Sequence, residues 1–376
     1  MTKRIETGNT ACALAVKAAG VDYVAAYPIT PQTTLSERLA NYAIAGEFSG
    51  KFVLVESEHS AMSAVAAASA AGARTFTATS SQGLLYMHEI LHYASGGRLP
   101  VVMANINRAV LAPWCLYADH QDSISQRDTG WLQLFCSSHQ EIYDSVFIAY
   151  KVAEKMDIPV MISYDGFLLS HSFLPFETVE DAVLKRFLPD RQPAWRLHPE
   201  WGGTFTNVAM SPEYSAARHS LAADTLASLP VIRDTISEYA SMTGRPQPGL
   251  IESSGPADAN VYLLSMGSMA AEMEVAAAEL TKQGISTSAL KLRVYRPFPS
   301  EELAAMLPAG STLIVLDRNI AYGHPGGVLL MEARSALYGS DKGVRIAGSS
   351  VGLGGQDLPV SALLDEIRRL LEVTKG

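Results

Sequence analysis

The sequence predicts an α/β protein of two domains, a larger doubly wound one followed by a smaller one. Three observations carry this. Residues 9–165 alternate helix-like with strand-like stretches, the pattern of a parallel sheet covered by helices. The alternation breaks over 185–255 and returns from Ala259. At 376 residues, the chain also exceeds what one ordinary core supports.

In order, Thr10 to Ala19 reads as a helix closed by Gly20, which suits a C-cap, and Val21 to Tyr27 as a strand. Phe52 to Val55 is a second strand, followed by an Ala-rich helix reaching about Ala71. Buried strands are expected at Thr75–Thr79, Leu99–Ile106 and Ile158–Tyr164, with helices at Leu84–Ala94 and Gln140–Met156. This places the first domain at 1–180. From 181 to 255 a connecting segment is expected: Pro189, Pro193, Trp195, Pro199 and Trp201 are scattered ahead of Gly202-Gly203. A helix at Ser215–Ser241 then runs into a linker at Gly244-Arg245-Pro246-Gln247-Pro248-Gly249. The second domain, 256–376, reads as strand Val261–Leu264, helix Met269–Lys282, and strands Ser286–Val294 and Ser311–Leu316.

Composition narrows the function. Hydrophobic residues make up 48% and charged residues 18%, a core-rich globular composition. A net charge of -9 without a basic run argues against a nucleic-acid surface. No apolar run reaches the ~18 residues of a membrane span. The start, Met1-Thr2-Lys3-Arg4-Ile5-Glu6, lacks the apolar core of a signal peptide, so a soluble, cytoplasmic protein is expected. Cys12, Cys115 and Cys136 lie too far apart for a Cys-x-x-Cys metal or iron–sulfur motif and read as buried or partly buried thiols.

Three loops at the carboxyl ends of first-domain strands carry unusual residues, and such ends are where these sheets bind ligands. Tyr27-Pro28-Ile29-Thr30-Pro31 is a double-proline turn that either holds the Thr30 hydroxyl in one orientation or uses Thr30 as a helix N-cap. Glu56-Ser57-Glu58-His59 joins an apolar strand to an Ala-rich helix. Its acids either serve the helix dipole or place a carboxylate at the domain edge, where no nearby lysine or arginine would pair with it. Asn105-Ile106-Asn107-Arg108 ends a buried strand, and Arg108 is either an ion-pair partner or a clamp for an anion.

Together these segments resemble the 2-oxoacid:ferredoxin oxidoreductases. The resemblance runs through Ala26-Tyr27-Pro28-Ile29-Thr30-Pro31-Gln32-Thr33, Glu56-Ser57-Glu58-His59-Ser60-Ala61-Met62-Ser63 and Thr77-Ala78-Thr79-Ser80-Ser81-Gln82-Gly83-Leu84. It continues in Ala118-Asp119-His120-Gln121-Asp122, Arg127-Asp128-Thr129-Gly130-Trp131, Tyr164-Asp165-Gly166-Phe167 and Ser170-His171, covering residues 9–175 in order. A weaker match follows at Leu292-Arg293-Val294-Tyr295-Arg296-Pro297-Phe298-Pro299 and Gly352-Leu353-Gly354-Gly355-Gln356-Asp357-Leu358. The chain is similar to the alpha subunit of the multi-subunit enzymes. The resemblance implies a thiamine pyrimidine-binding-type doubly wound domain and a smaller transketolase C-terminal-like α/β domain.

It also implies roles. Glu58 matches the glutamate that hydrogen-bonds N1′ of the thiamine aminopyrimidine and so activates the cofactor for attack on a 2-oxoacid. Thr30 and Arg108 match the residues that hold the substrate carboxylate and 2-oxo oxygen, Thr30 lying also at the cofactor. His120 matches the substrate-side loop. Asp119, His120 and Asp122 together could look like a metal site, but lining the pocket or orienting neighbours is the expected role. No Gly-Asp-Gly…Asn motif for Mg²⁺ and diphosphate and no cluster motif is present in this sequence. The family places them in partner chains: a thiamine-diphosphate/Mg²⁺-binding beta subunit, a gamma subunit and a ferredoxin-like subunit with 4Fe–4S clusters. The expected reaction is CoA-dependent oxidative decarboxylation of a 2-oxoacid with electrons passing to ferredoxin. A transketolase-type carbon–carbon transferase and a non-catalytic scaffold are the alternatives. The stretch from Ala109 to Gln126 has no lysine or arginine and carries Trp114, Leu116 and Tyr117, favouring a monocarboxylic substrate. Pyruvate comes first, then branched-chain or aromatic 2-oxoacids.

Overall fold

The computed structural model describes residues 2–201, 204 and 206–375; Gly202-Gly203 lies outside them. The chain opens with β1 (Thr2–Thr7) and α1 (Gly8–Ala18), then β2 (Tyr23–Ala26), α2 (Thr33–Ile44), β3 (Lys51–Leu54), α3 (Glu58–Ala70) and β4 (Thr75–Thr79). Next come α4 (Ser81–Tyr86), α5 (His88–Gly96), β5 (Val102–Asn107), α6 (Gln121–Ile124), β6 (Leu132–Phe135), α7 (His139–Met156) and β7 (Val160–Asp165). After β8 (Phe173–Thr178) and α8 (Asp181–Phe187), a long α9 (Ser211–Thr243) leads to β9 (Ile251–Ser254), β10 (Val261–Met266) and α10 (Met269–Lys282). The rest is β11 (Thr287–Leu292), β12 (Val294–Arg296), α11 (Ser300–Met306), β13 (Thr312–Asp317), α12 (Val328–Leu337), β14 (Arg345–Ser350) and α13 (Val360–Val373).

The first sheet has the order β12-β6-β7-β5-β4-β2-β3, parallel throughout except for β12. Its central strands β4, β5 and β7 are buried along their whole length; β5 and β7 open on apolar runs, whereas β4 alternates threonine with Phe76 and Ala78. Helices α1 and α7 cover one face through Ala11, Ala15, Val146, Phe147 and Tyr150. Helix α7 starts on a capping box: Ser138 Oγ accepts from Glu141 N (3.2 Å), and the Glu141 carboxylate accepts from Ser137 N (2.8 Å). The second sheet, β14-β13-β10-β11-β9, is parallel except for the edge strand β9. No helix among the described residues is long and apolar enough to cross a membrane.

Three elements differ from the sequence reading. The polar start forms β1, which pairs antiparallel with β8 in a separate ribbon. The expected helix at Leu84–Ala94 is two helices broken at Met87. The expected strand at Ser286–Val294 divides: β11 stays in the second sheet, whereas β12 crosses to β6 with Val294 opposite Leu134. Arg293, between them, is fully buried and donates to Pro248 O (2.8 Å) and Ser145 Oγ (3.2 Å). Lys291 pairs with Glu141 of α7 (2.6 Å) and with Glu252. The second domain is therefore tied into the first by a shared strand and a buried ion pair.

Candidate active site

The site lies at the carboxyl ends of β2, β3, β4 and β5. Glu58 is the first residue of α3, whose N-cap Ser57 accepts from Ser60 N (3.1 Å). Glu58 is only 8% exposed, and burial raises its pKa against the opposing pull of its own backbone N–H. No other side chain among the described residues donates to it. Glu56, two residues earlier, is exposed and accepts from Ser60 Oγ (2.6 Å), which lowers its pKa. The two acids thus separate into a surface cap and a secluded carboxyl group.

Gly83 lies against that carboxyl group: a Cβ there would come within 2.7 Å of Glu58 Oε1 and 2.5 Å of Thr79 Oγ1. Any side chain at 83 would crowd Glu58, so the first turn of α4 can pack this closely on the glutamate only with glycine there.

Arg108 follows β5 and is 3% exposed. Its Nη1 donates to Thr30 O (3.0 Å) and its Nε to Cys115 O (3.2 Å), while the Trp114 ring lies 5.8 Å away. Burial lowers its pKa, and among the described residues it forms no ion pair. Thr30 is exposed and is not a cap: the N-cap of α2 is Gln32. The structure therefore brings Thr30 and Arg108 into contact and, among the described residues, gives the guanidinium no ion-pair partner.

His120 is the N-cap residue of α6. It is 1% exposed, and its Nε2 meets Asp165 Oδ1 (2.8 Å), whose other oxygen accepts from Ser268 N (2.7 Å) of the second domain. Burial would raise the Asp165 pKa, but His120, Arg318 and Ser268 hold it well below the usual carboxylate range. A Cβ on Gly267 would come within 2.9 Å of His120 Nε2. The histidine thus sits in the seam between the domains.

The residue that sequence reasoning passed over is Asp122. It was noticed only as a flank of His120, yet its buried carboxylate receives N–H groups from Ser81, Asn107, Arg108 and Ser123. A buried acid satisfied by backbone donors has no sequence signature; only its recurrence beside Asp119 and His120 marked it.

Two domain profiles match this chain. A thiamine-diphosphate-binding domain of pyruvate flavodoxin/ferredoxin oxidoreductases covers residues 14–235, and core domain II of pyruvate:ferredoxin oxidoreductase covers 259–363. The ketoisovalerate oxidoreductase subunit VorA of Pyrococcus abyssi is 40% identical, across 99% of this chain and 95% of the relative. The pyruvate synthase subunit PorA of Methanocaldococcus jannaschii is 41% identical, across 98% and 94%. Among solved structures, a 2-oxoglutarate:ferredoxin oxidoreductase from Magnetococcus marinus superposes with a TM-score of 0.70 at 20% identity. That match covers 98% of this chain and 65% of the other, so the chain spans about two thirds of that protein. A split-gene transketolase superposes with a TM-score of 0.58 at 14% identity, covering 98% and 99%. These two show the fold. The fold and the matched domains define a thiamine-diphosphate-binding enzyme class. Within it, the chain belongs to the pyruvate flavodoxin/ferredoxin oxidoreductase family.

Proposed function

We propose that the chain is the alpha-type subunit of a 2-oxoacid:ferredoxin oxidoreductase and supplies the activating glutamate and the substrate anchor to an active site completed by partners. The reaction takes a 2-oxoacid and CoA to an acyl-CoA and CO₂, with the electron pair passing to ferredoxin. The observation that carries this is the Glu58 carboxyl group: secluded, without a side-chain partner among the described residues, and packed against a glycine whose place no larger residue could take. Residues 1–180 form the pyrimidine-binding-type domain of this reading, 181–255 the connection, and 256–376 the transketolase C-terminal-like domain.

Thiamine diphosphate, when bound, supplies the electron-accepting ring that makes loss of CO₂ feasible. The chain's own residues do the rest. With its pKa raised by burial, Glu58 holds or shares a proton at the aminopyrimidine N1′. Arg108 binds the substrate carboxylate, for which its planar fork is suited, and the Thr30 hydroxyl holds the 2-oxo oxygen, adjacent to the cofactor. His120, through Asp165, fixes the substrate-side loop against the second domain. Mg²⁺ and diphosphate belong to a beta subunit and 4Fe–4S clusters to a ferredoxin-like subunit, with a gamma subunit completing a cytoplasmic assembly.

The substrate of this reading is a monocarboxylic 2-oxoacid, pyruvate first and branched-chain or aromatic ones next. Trp114, Leu116 and Tyr117 are exposed on the loop after Arg108, and no cation there would meet a second carboxylate. The test is reconstitution. The single chain with thiamine diphosphate and Mg²⁺ should be inert, and activity should return with partners, favouring pyruvate over 2-oxoglutarate. Turnover by the single chain sinks the shared site; equal or better efficiency with 2-oxoglutarate sinks the substrate class.

A further inference from the structure

We infer that Asp122 is a positioning residue for both halves of the proposed reaction, holding the turn that packs on Glu58 and the backbone that carries Arg108. The inference rests on the functional reading above. Asp122 is fully buried in α6, and among the described residues it forms no ion pair. Its Oδ2 accepts from Ser81 N (2.9 Å) and Arg108 N (3.1 Å). Its Oδ1 accepts from Asn107 Nδ2 (2.8 Å) and Ser123 N (2.7 Å). One carboxylate thus joins the end of β5, the start of α4 and its own loop.

The Ser81 contact holds an unusual conformation. Ser81 has φ +51°, a left-handed geometry that a residue with a Cβ adopts reluctantly. Besides the bond to Asp122, its Oγ donates to Ala109 O (2.6 Å). Two residues on, Gly83 meets Glu58 at the close approach described above. If Ser81 relaxes, Gly83 moves with it, and the space beside Glu58 changes. The same Oδ2 fixes Arg108 N, the root of the guanidinium that reaches Thr30 O. Activation and substrate anchoring are therefore set by one oxygen atom. An amide cannot replace this carboxylate, because both oxygens accept and an asparagine would turn N–H donors toward N–H donors.

The test uses the assembled complex. Asp122→Asn should slow C2–H exchange of the bound cofactor and raise KM for the 2-oxoacid, each by about tenfold or more, the scale of losing hydrogen bonds to a charged group. Glycine takes positive φ freely, so adding Ser81→Gly to Asp122→Asn should return the exchange rate toward wild type while KM stays raised. That split separates positioning from general stability, which would move both together. Wild-type exchange and KM in Asp122→Asn overturn the inference, as does a loss of both with no selective recovery in the double variant. Should Asp122→Asn not assemble, Asn107→Ala removes one donor to Oδ1 and should give a smaller slowing of exchange; an unchanged rate there overturns the inference equally. Glu58→Gln and Arg108→Lys run alongside. If those two leave exchange and KM at wild-type values, it is the functional reading that has failed and not the clamp.

Discussion

The carboxyl ends of the two parallel sheets are built from similar parts and used in opposite ways. In the first sheet they leave groups available: among the described residues Glu58 receives no other side chain and Arg108 forms no ion pair, and Thr30 is exposed. In the second sheet the ends are consumed by docking. Ser268 N after β10 donates to Asp165, and Arg318 O after β13 accepts from His120 N (2.8 Å). Beyond β14, Gly354 N donates to Asp119 Oδ2 (3.3 Å) and Gly355 N to Ala118 O (2.7 Å). Asp317, fully buried, accepts from Leu330 N (3.1 Å) and Asn319 Nδ2 (2.7 Å), and burial pushes its pKa up to about 7. The strand-end crevice is where such sheets bind ligands. Here the end of β7, at Asp165, and the ends of the second sheet meet each other, so architecture alone does not say which strand ends carry function.

The comparison breaks most directly at Glu58. In the assembled complex, Glu58→Gln should slow C2–H exchange of the bound cofactor by about 10²–10⁴-fold, the usual worth of a positioned proton-transfer group. The melting temperature should stay close to wild type, since the carboxyl group has no side-chain partner to lose. Exchange at the wild-type rate would leave the strand ends of the first sheet without their assigned chemistry. Asp317→Asn at the other sheet is the matched control: it should lower stability and leave the exchange rate per folded complex unchanged.

The next largest effect lies where the domains join. Lys291→Ala leaves Glu141 buried with Arg293 as its remaining nearby cation, and breaking such a pair costs roughly 3–5 kcal/mol of stability. Burial opposes ionisation of Glu141, but Lys291 and Arg293 together hold its pKa below the ordinary value of 4.5. A carboxylate depressed in the folded state contributes stability that is present above its unfolded pKa and is lost as pH falls through the folded one. The stability gap between wild type and Lys291→Ala, measured by denaturant unfolding, should therefore be full at neutral pH and narrow below pH 4.5. A gap independent of pH would show that Lys291 acts through packing alone.

How far the sequence reveals this division differs by feature. Strands β5 and β7 were legible from their apolar starts and β4 from its β-branched and aromatic composition, each at strand length. The ribbon of β1 and β8 was not, because its residues are largely exposed and carry no apolar pattern. Nor was the crossing of β12, since pairing with β6 is decided by contacts 150 or more residues apart, of which Lys291 with Glu141 is one. An acid after an apolar strand with no cation near it stood out, and the resemblance to the family picked Glu58 over Glu56. His120 and Asp122 read as a polar loop, and only the fold separates a seam residue from a clamp.

A smaller effect is expected at Arg108. Arg108→Lys keeps the charge but loses the planar fork that reaches Thr30 O and Cys115 O together. KM for the 2-oxoacid should rise about tenfold, in line with a hydrogen bond to a charged partner, with C2–H exchange nearly unchanged. An unaltered KM would make Arg108 a structural residue and remove the substrate anchor from the strand ends of the first sheet.

The smallest expected effect tests whether the apolar loop beside that anchor belongs to the site or only to the surface. Trp114 is 69% exposed, and its ring faces the Arg108 guanidinium at 5.8 Å. An exposed cation–π contact is worth about 0.5–1 kcal/mol, so Trp114→Ala should raise KM for pyruvate by roughly two- to fivefold. The exchange rate should not move, because Trp114 touches neither Glu58 nor Gly83. Removing the ring also opens the wall, so larger aliphatic 2-oxoacids should lose less than pyruvate does. Tyr338 is 92% exposed on the second domain and provides the contrast: Tyr338→Ala should leave every kinetic constant in place. If both aromatic variants behave alike, the loop is only an exposed surface, and its apolar character says nothing about which 2-oxoacid the site accepts.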